Sequence, residues 1–147
     1  MKRLKIFFLL GFLFSITFYG NAKNSKSRTI IHLTKSDFLK KVHNFETNKV
    51  WKYLGNKPSI IDFYADWCGP CRKLTPILNE FAVKHPEIII YKVNVDEQPE
   101  LADYFRASSI PLLVYIPVAG SPVQELGLVT ESEIEQRASK LFNKSRK

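Results

Sequence analysis

Apolar positions along the chain fall into two rhythms, short nearly continuous runs and longer stretches with a helical stripe, and the runs come first in the argument. Residues 59–65 read Ser-Ile-Ile-Asp-Phe-Tyr-Ala after Pro58, an apolar run with one acid, Asp62, inside it. A run of that length predicts a central strand covered on both faces. Residues 88–95 predict a second central strand, 112–116 another, and 123–129 a last one. The short β-branched stretch 29–33 suits a sheet edge. Between the runs, Thr34 with Asp37 three positions on predicts an N-cap and a helix to about residue 45, with Phe38, Leu39, Val42 and Phe45 on one face. A second helix is expected over about 71–85, where Leu74, Ile77, Leu78 and Phe81 form an inward stripe and Pro76 should introduce a kink. Residues 99–105 predict a short helix. Thr130 and Glu133 form a capping box for a last helix ending near residue 142. The segment 46–58, with Gly55-Asn56, reads as a connector with some helix around Trp51. Strands alternating with helices, followed by two late strands and a terminal helix, indicate an α/β sandwich with a mixed central β-sheet flanked by helices.

The first 22 residues follow neither rhythm. Lys2, Arg3 and Lys5 precede an uncharged apolar run, residues 6–19, that ends at Gly20-Asn21-Ala22. This is the pattern of a secretory signal peptide cut after Ala22. An uncleaved membrane anchor is the alternative, but the run is 14 residues and a spanning helix needs about 20. The expected division is therefore a signal peptide over 1–22 and one domain over 23–147, with a periplasmic destination.

Charge and composition narrow the picture further. At 45% apolar and 24% charged residues, the balance is that of a folded globular chain rather than a disordered one. The formal charge of +8 falls by three when Lys2, Arg3 and Lys5 leave with the signal. Lys23, Lys26, Arg28, Lys144, Arg146 and Lys147 lie at the two ends of what remains, where basic residues act as solvated tails, so no nucleic-acid surface is expected. An exported chain of this size has room for several stabilising disulfides, yet there are only two cysteines. Cys68 and Cys71 stand three positions apart and would close too short a loop to brace the fold strongly, which points to chemistry.

The chemistry follows from their place between a buried strand and a helix. Cys68 falls at the N-terminus of that helix, where unpaired amides and the macrodipole stabilise a thiolate, the nucleophile of disulfide exchange. Cys71, one turn on, is placed to attack a mixed disulfide formed at Cys68. The competing readings of a Cys-x-x-Cys pair are half a zinc site and a structural disulfide. Structural zinc wants four ligands, and no second pair accompanies this one, while His32, His43 and His85 lack ligand spacing. Trp67, beside the first sulfur, is expected to be a partly exposed platform, whereas Phe63 and Tyr64 are expected in the core.

Over roughly residues 60–141 the sequence resembles the thioredoxin family. The segment from Ile61 through Asp62, Trp67 and Cys68-Gly69-Pro70-Cys71 follows that family's active-site block, Pro76 its kinking proline, and Ile110-Pro111 its isoleucine–cis-proline loop. The resemblance implies a thioredoxin fold, a protein-disulfide reductase activity, and no cofactor beyond a redox-active disulfide between Cys68 and Cys71. It implies that Cys68 attacks and Cys71 resolves, with Asp62 a buried acid behind Cys71 and Lys92 its cationic neighbour. It further implies a substrate surface made from Trp67, Gly69, Pro70, Ile110, Pro111 and Gly127. Three departures bear on substrate preference: Tyr64 where tryptophan is usual, Leu112 where threonine is usual, and an expanded 118–123 loop. The longer lead-in, residues 32–51, resembles that of exported thioredoxins of Bacteroides-type bacteria.

The Gly69-Pro70 pair is the one found in reducing thioredoxins, near about −270 mV, whereas strongly oxidising relatives lie near about −120 mV, a gap of about 7 kcal/mol for two electrons. Reduction of disulfide-bonded or oxidised protein substrates is the expected direction. An oxidising compartment then requires a membrane thiol-electron carrier as reductant, serving a monomeric chain. An oxidant or isomerase of protein folding is one alternative, and a non-catalytic adaptor on the same fold is another.

Overall fold

A computed structural model describes residues 30–143. The expected signal peptide, residues 1–22, lies outside the described residues, as does Thr29. In chain order the elements are β1 (Ile31–His32), α1 (Lys35–Lys41), β2 (Ser59–Tyr64), α2 (Gly69–Lys84), β3 (Ile89–Asn94), α3 (Pro99–Phe105), β4 (Leu112–Ile116), β5 (Val123–Leu126) and α4 (Glu131–Phe142). The sheet has the order β1-β3-β2-β4-β5. β1, β3 and β2 run parallel, while β4 is antiparallel to β2 and β5 antiparallel to β4. It is the mixed α/β sheet that the sequence predicts.

Strand periodicity sorts the sheet's side chains onto two faces. Ile61, Phe63, Tyr91, Val93 and Val114 meet Phe38 of α1 and Leu101 and Phe105 of α3 in one core. Ile60, Ile90, Leu113 and Tyr115 meet Leu74, Leu78 and Phe81 of α2 and Ile134 of α4 in the other. Asp62 alternates with Ile61 and Phe63, so it belongs to the face that α2 and α4 cover. Lys92 does the same on β3. The parallel register puts Asp62 beside Lys92, and the two charged residues in otherwise apolar strands are thereby brought to one place.

Several element ends differ from expectation, each for a local reason. β1 shrinks to two residues, held through Ile31 and His32 against Tyr91 and Lys92. α1 stops at Lys41 instead of near residue 45, because the Asn44 side-chain oxygen accepts from the backbone N–H groups of Glu46 and Thr47 and so offers the chain a turn in place of another helical one. The connector around Trp51 is not helical. α2 opens at Gly69, ahead of the expected Cys71, since Pro70 sits in the first turn, where its missing N–H has no intrahelical role. The helix continues through Pro76 to Lys84. β5 ends at Leu126 rather than near residue 129, where Gly127 takes a φ of +100° and turns the chain. The capping box at Thr130 forms as the sequence predicts. Among the described residues no helix is long and apolar enough to cross a membrane.

Candidate active site

The cysteine pair lies just past the C-terminal end of β2, where the chain turns into α2. Cys68 is the N-cap of that helix, its backbone extended at φ −76° and ψ 109°. Its N–H donates to the Ala65 carbonyl at 3.1 Å, which ties the turn back to the strand. Cys68 and Cys71 are joined by a disulfide, with their Cα atoms 5.3 Å apart. The Cys71 N–H donates to Cys68 Sγ at 3.2 Å, so the first sulfur takes the place that a serine or aspartate oxygen takes in an ordinary N-cap. An amide directed at this sulfur stabilises negative charge on it once the bond is reduced. Both cysteines are buried in the disulfide form.

Around the pair stand the residues singled out from the sequence. Trp67 is 69% exposed, and its Nε1–H donates to Asp96 Oδ2 at 2.8 Å, so the indole is held at the surface beside Cys68. Arg72 fixes the same turn from the other side by donating to the Asp66 carbonyl at 3.0 Å. The Ile110-Pro111 peptide bond is cis, and the Ile110 carbonyl oxygen lies 3.9 Å from Cys68 Sγ. Gly127 donates its N–H to the Pro111 carbonyl at 2.8 Å, joining the end of β5 to the cis-proline loop. A Cβ at Gly127 would meet nothing within 4 Å, so the positive φ, and not lack of space, calls for glycine there. Leu126 and Leu128 on either side of it are exposed.

On the strand that leads into this turn, and on its α2-covered face, lies Asp62, fully buried. Neither of its carboxylate oxygens has a hydrogen-bond partner among the described residues. Lys92 Nζ lies 3.2 Å from Asp62 Oδ2, an ion pair without hydrogen-bond alignment. Burial pushes the Asp62 carboxyl above the usual carboxylate range, and the Lys92 charge opposes this only in part. Lys92 directs one of its three N–H donors elsewhere. It donates to Thr75 Oγ1 at 2.8 Å, and its Nζ sits 4.2 Å from the centre of the Tyr64 ring, a cation–π contact. Thr75 in turn donates to the Cys71 carbonyl at 3.1 Å.

Phe63 is core, as expected, but Tyr64 is only partly buried and its ring supports Lys92 beside the acid. Thr75 and Asp96 were not legible as site residues. Thr75 is marked in the sequence only by its place one helical turn after Cys71. No group of three or more His, Cys, Asp or Glu is arranged for a metal ion among the described residues.

A bonded cysteine pair at a strand-to-helix turn, facing a cis-proline loop and preceded by a strand that carries a buried acid, defines a protein built for dithiol–disulfide exchange. The family model for thioredoxin matches residues 29–140. The thioredoxin of Borreliella burgdorferi is 37% identical over 113 residues, which is 76% of this chain and 97% of that protein. The thioredoxin of Alicyclobacillus acidocaldarius is 47% identical over 73 residues, 49% of this chain and 69% of its own length. The crystal structure of chloroplastic thioredoxin z is similar with a TM-score of 0.65 over 77% of this chain and 94% of its own, and at 22% identity that likeness bears on the fold. The chain belongs to the thioredoxin family, and it is a protein-disulfide oxidoreductase whose reacting group is the Cys68–Cys71 pair.

Proposed function

We propose that the chain is an exported, periplasmic reductase of protein disulfides, monomeric and re-reduced by a membrane thiol-electron carrier. The observation that carries the catalytic reading is Cys68 as the N-cap of α2 with the Cys71 amide directed at its sulfur. The reductive direction is supported by Gly69-Pro70 between the cysteines, and export by the charged and apolar stretches of residues 1–22.

The Cys68 thiolate attacks one sulfur of the substrate disulfide. The substrate bond breaks, a Cys68–substrate disulfide forms, and the first substrate sulfur leaves as a thiolate. Cys71 then gives its proton to the Asp62 carboxylate and attacks Cys68 Sγ. The Cys68–Cys71 bond forms, the second substrate sulfur leaves as a thiolate, and two electrons have passed from the pair to the substrate. Burial of Asp62 supports its role as base, because it raises the proton affinity of the carboxyl toward that of a useful acceptor. Trp67, Gly69, Pro70, Ile110 and Gly127 form the surface that receives the substrate chain, the buried Pro111 ties its loop to Gly127 through its carbonyl, and Lys92 sets the charge beside Asp62.

Expression of Cys71→Ser in the native compartment tests this reading. Mixed disulfides through Cys68 should accumulate with exported proteins and with a membrane thiol protein, while Cys68→Ser traps none. Equal trapping by both variants would reverse the role assignment, and capture of cytoplasmic proteins alone would remove export. A measured potential near about −270 mV supports the reductive direction, and one near about −120 mV makes the chain an oxidant.

A further inference from the structure

We propose that Thr75 is a positioning residue of the exchange reaction, whose hydroxyl seats the Lys92 ammonium beside Asp62 but out of line with the carboxylate. The inference rests on the reading of Asp62 as the base that takes the Cys71 proton. It assigns a task to a side chain whose one mark in the sequence is its place a helical turn after Cys71.

The geometry runs as a chain from the resolving cysteine to the acid. The Thr75 hydroxyl has one proton and two lone pairs. It gives the proton to the Cys71 carbonyl at 3.1 Å, which fixes the rotor and leaves the lone pairs for Lys92 Nζ at 2.8 Å. The ammonium is then held on three sides, by Thr75 Oγ1, by the Tyr64 ring at 4.2 Å and by the Asp62 charge at 3.2 Å. It is close enough to Asp62 to attract, yet it makes no aligned bond to either oxygen.

That arrangement has a chemical consequence. A charge-assisted hydrogen bond is about twice as strong as a neutral one, and Thr75 takes only one of the three N–H donors, so a Lys92 side chain released from Thr75 would shift until an N–H aligned with Asp62 Oδ2. A bond of that kind favours the ionised carboxyl and makes it a poorer proton acceptor. Held by Thr75, Lys92 offsets the burial of the acid without capturing it. When Cys71 is to be deprotonated, the carboxylate oxygens are therefore not already engaged. The proton moves from Cys71 Sγ to Asp62, the Cys71 sulfur bonds to Cys68 Sγ, and the substrate sulfur leaves with the electron pair of the mixed disulfide.

Other groups around Asp62 leave Thr75 as the competitor for Lys92. β3 contributes Lys92 itself, and β4 places the apolar Leu113 in register with the acid. β2 contributes Tyr64, with Asp66 and Glu97 as the next charges beyond that ring. α2 contributes Cys71 and Thr75, and α4 contributes the apolar Ile134 to the same face of the sheet.

The test is to titrate the Asp62 carboxyl carbon by NMR in the oxidised protein, for wild type, Thr75→Val and Thr75→Ser. Thr75→Val keeps the branched shape and loses the hydroxyl; its Asp62 midpoint should fall by about 1 pH unit, toward the range of a carboxylate paired with a cation. Thr75→Ser should keep the wild-type midpoint. Thr75→Ala repeats the measurement should the branched variant fold poorly. In single-turnover resolution of a mixed disulfide, the limb of the pH profile governed by Asp62 should move by the same amount and in the same direction. An Asp62 midpoint that stays or rises in Thr75→Val, or falls equally in Thr75→Ser, overturns the proposal. Resolution as fast in Asp62→Asn as in wild type, with the Thr75→Val shift present, overturns the base assignment while the seating of Lys92 stands.

Discussion

Asp62 and Lys92 are the clearest case of a site written at the level of single residues. Each interrupts an apolar strand, and strand periodicity together with a parallel register turns those interruptions into neighbours. Asp62 was legible because a charge inside a buried run is conspicuous, Lys92 only through the family resemblance, and the two cysteines because their spacing is conspicuous too. Thr75 was not, since its meaning depends on how α2 lies over β3, which no local pattern encodes. Asp96, which holds the Trp67 indole from a turn after β3, was missed for the same reason. A prediction at this scale concerns the acid. Because burial raises the Asp62 carboxyl above its ordinary value of 3.8, the folded chain keeps this proton to higher pH than the unfolded chain. The stability associated with the protonated acid is complete below that ordinary value and is lost as pH rises through the folded value. Asp62→Asn removes the loss, so its advantage over wild type should be absent at about pH 3, grow with pH, and level off once the folded carboxyl is ionised. Urea unfolding across this range measures it, with resolution of the mixed disulfide expected to slow in the same variant. An advantage of equal size at acid and neutral pH would detach Asp62 from both effects.

Elements were legible in existence and order, and less so in extent. The ends moved where a residue's local bonding competed with the periodic pattern: the Asn44 turn after α1, Pro70 in the first turn of α2, Gly127 at the end of β5. The connector over residues 46–58 hid the most. It packs Trp51 against the buried His43 ring at 4.7 Å between centroids, and the Lys52 N–H donates to His43 Nδ1 at 3.2 Å, contacts that have no period to read. By contrast the capping box of α4 could be read directly, because it is a rule about residues three apart. The Glu133 N–H donates to Thr130 Oγ1 at 3.3 Å, and the Thr130 N–H donates to Glu133 Oε2 at 2.7 Å. Thr130→Ala should therefore cost about 1 kcal/mol of stability by denaturant unfolding, with the rate of disulfide exchange in folded molecules unaltered. A change below about 0.3 kcal/mol would mean that packing of Ile134 and Phe142 alone holds the helix.

For the molecule as a whole, the two faces of the sheet divide the labour. The α2 and α4 face carries the acid, the lysine and the helix that positions the cysteines, while the α1 and α3 face is apolar packing. Phe38 stands at the centre of the second, fully buried and in contact with the rings of Phe45, Tyr104 and Phe105. Phe38→Ala should cost about 3–5 kcal/mol, seen as an earlier urea midpoint. Resolution by the molecules that remain folded should keep its wild-type rate and pH profile, and a shifted profile would show that the faces are coupled through the strands. The edges of the same sheet have a different consequence. β1 offers two residues, and β5 offers four, entered from Pro122 and left at Gly127, with Glu125 in its middle and tied to Arg137 at 2.9 Å. Short margins bounded by proline, a turning glycine and a charge give another copy of the chain little continuous backbone to extend, so crowding many such molecules together should not readily thread their sheets into fibres.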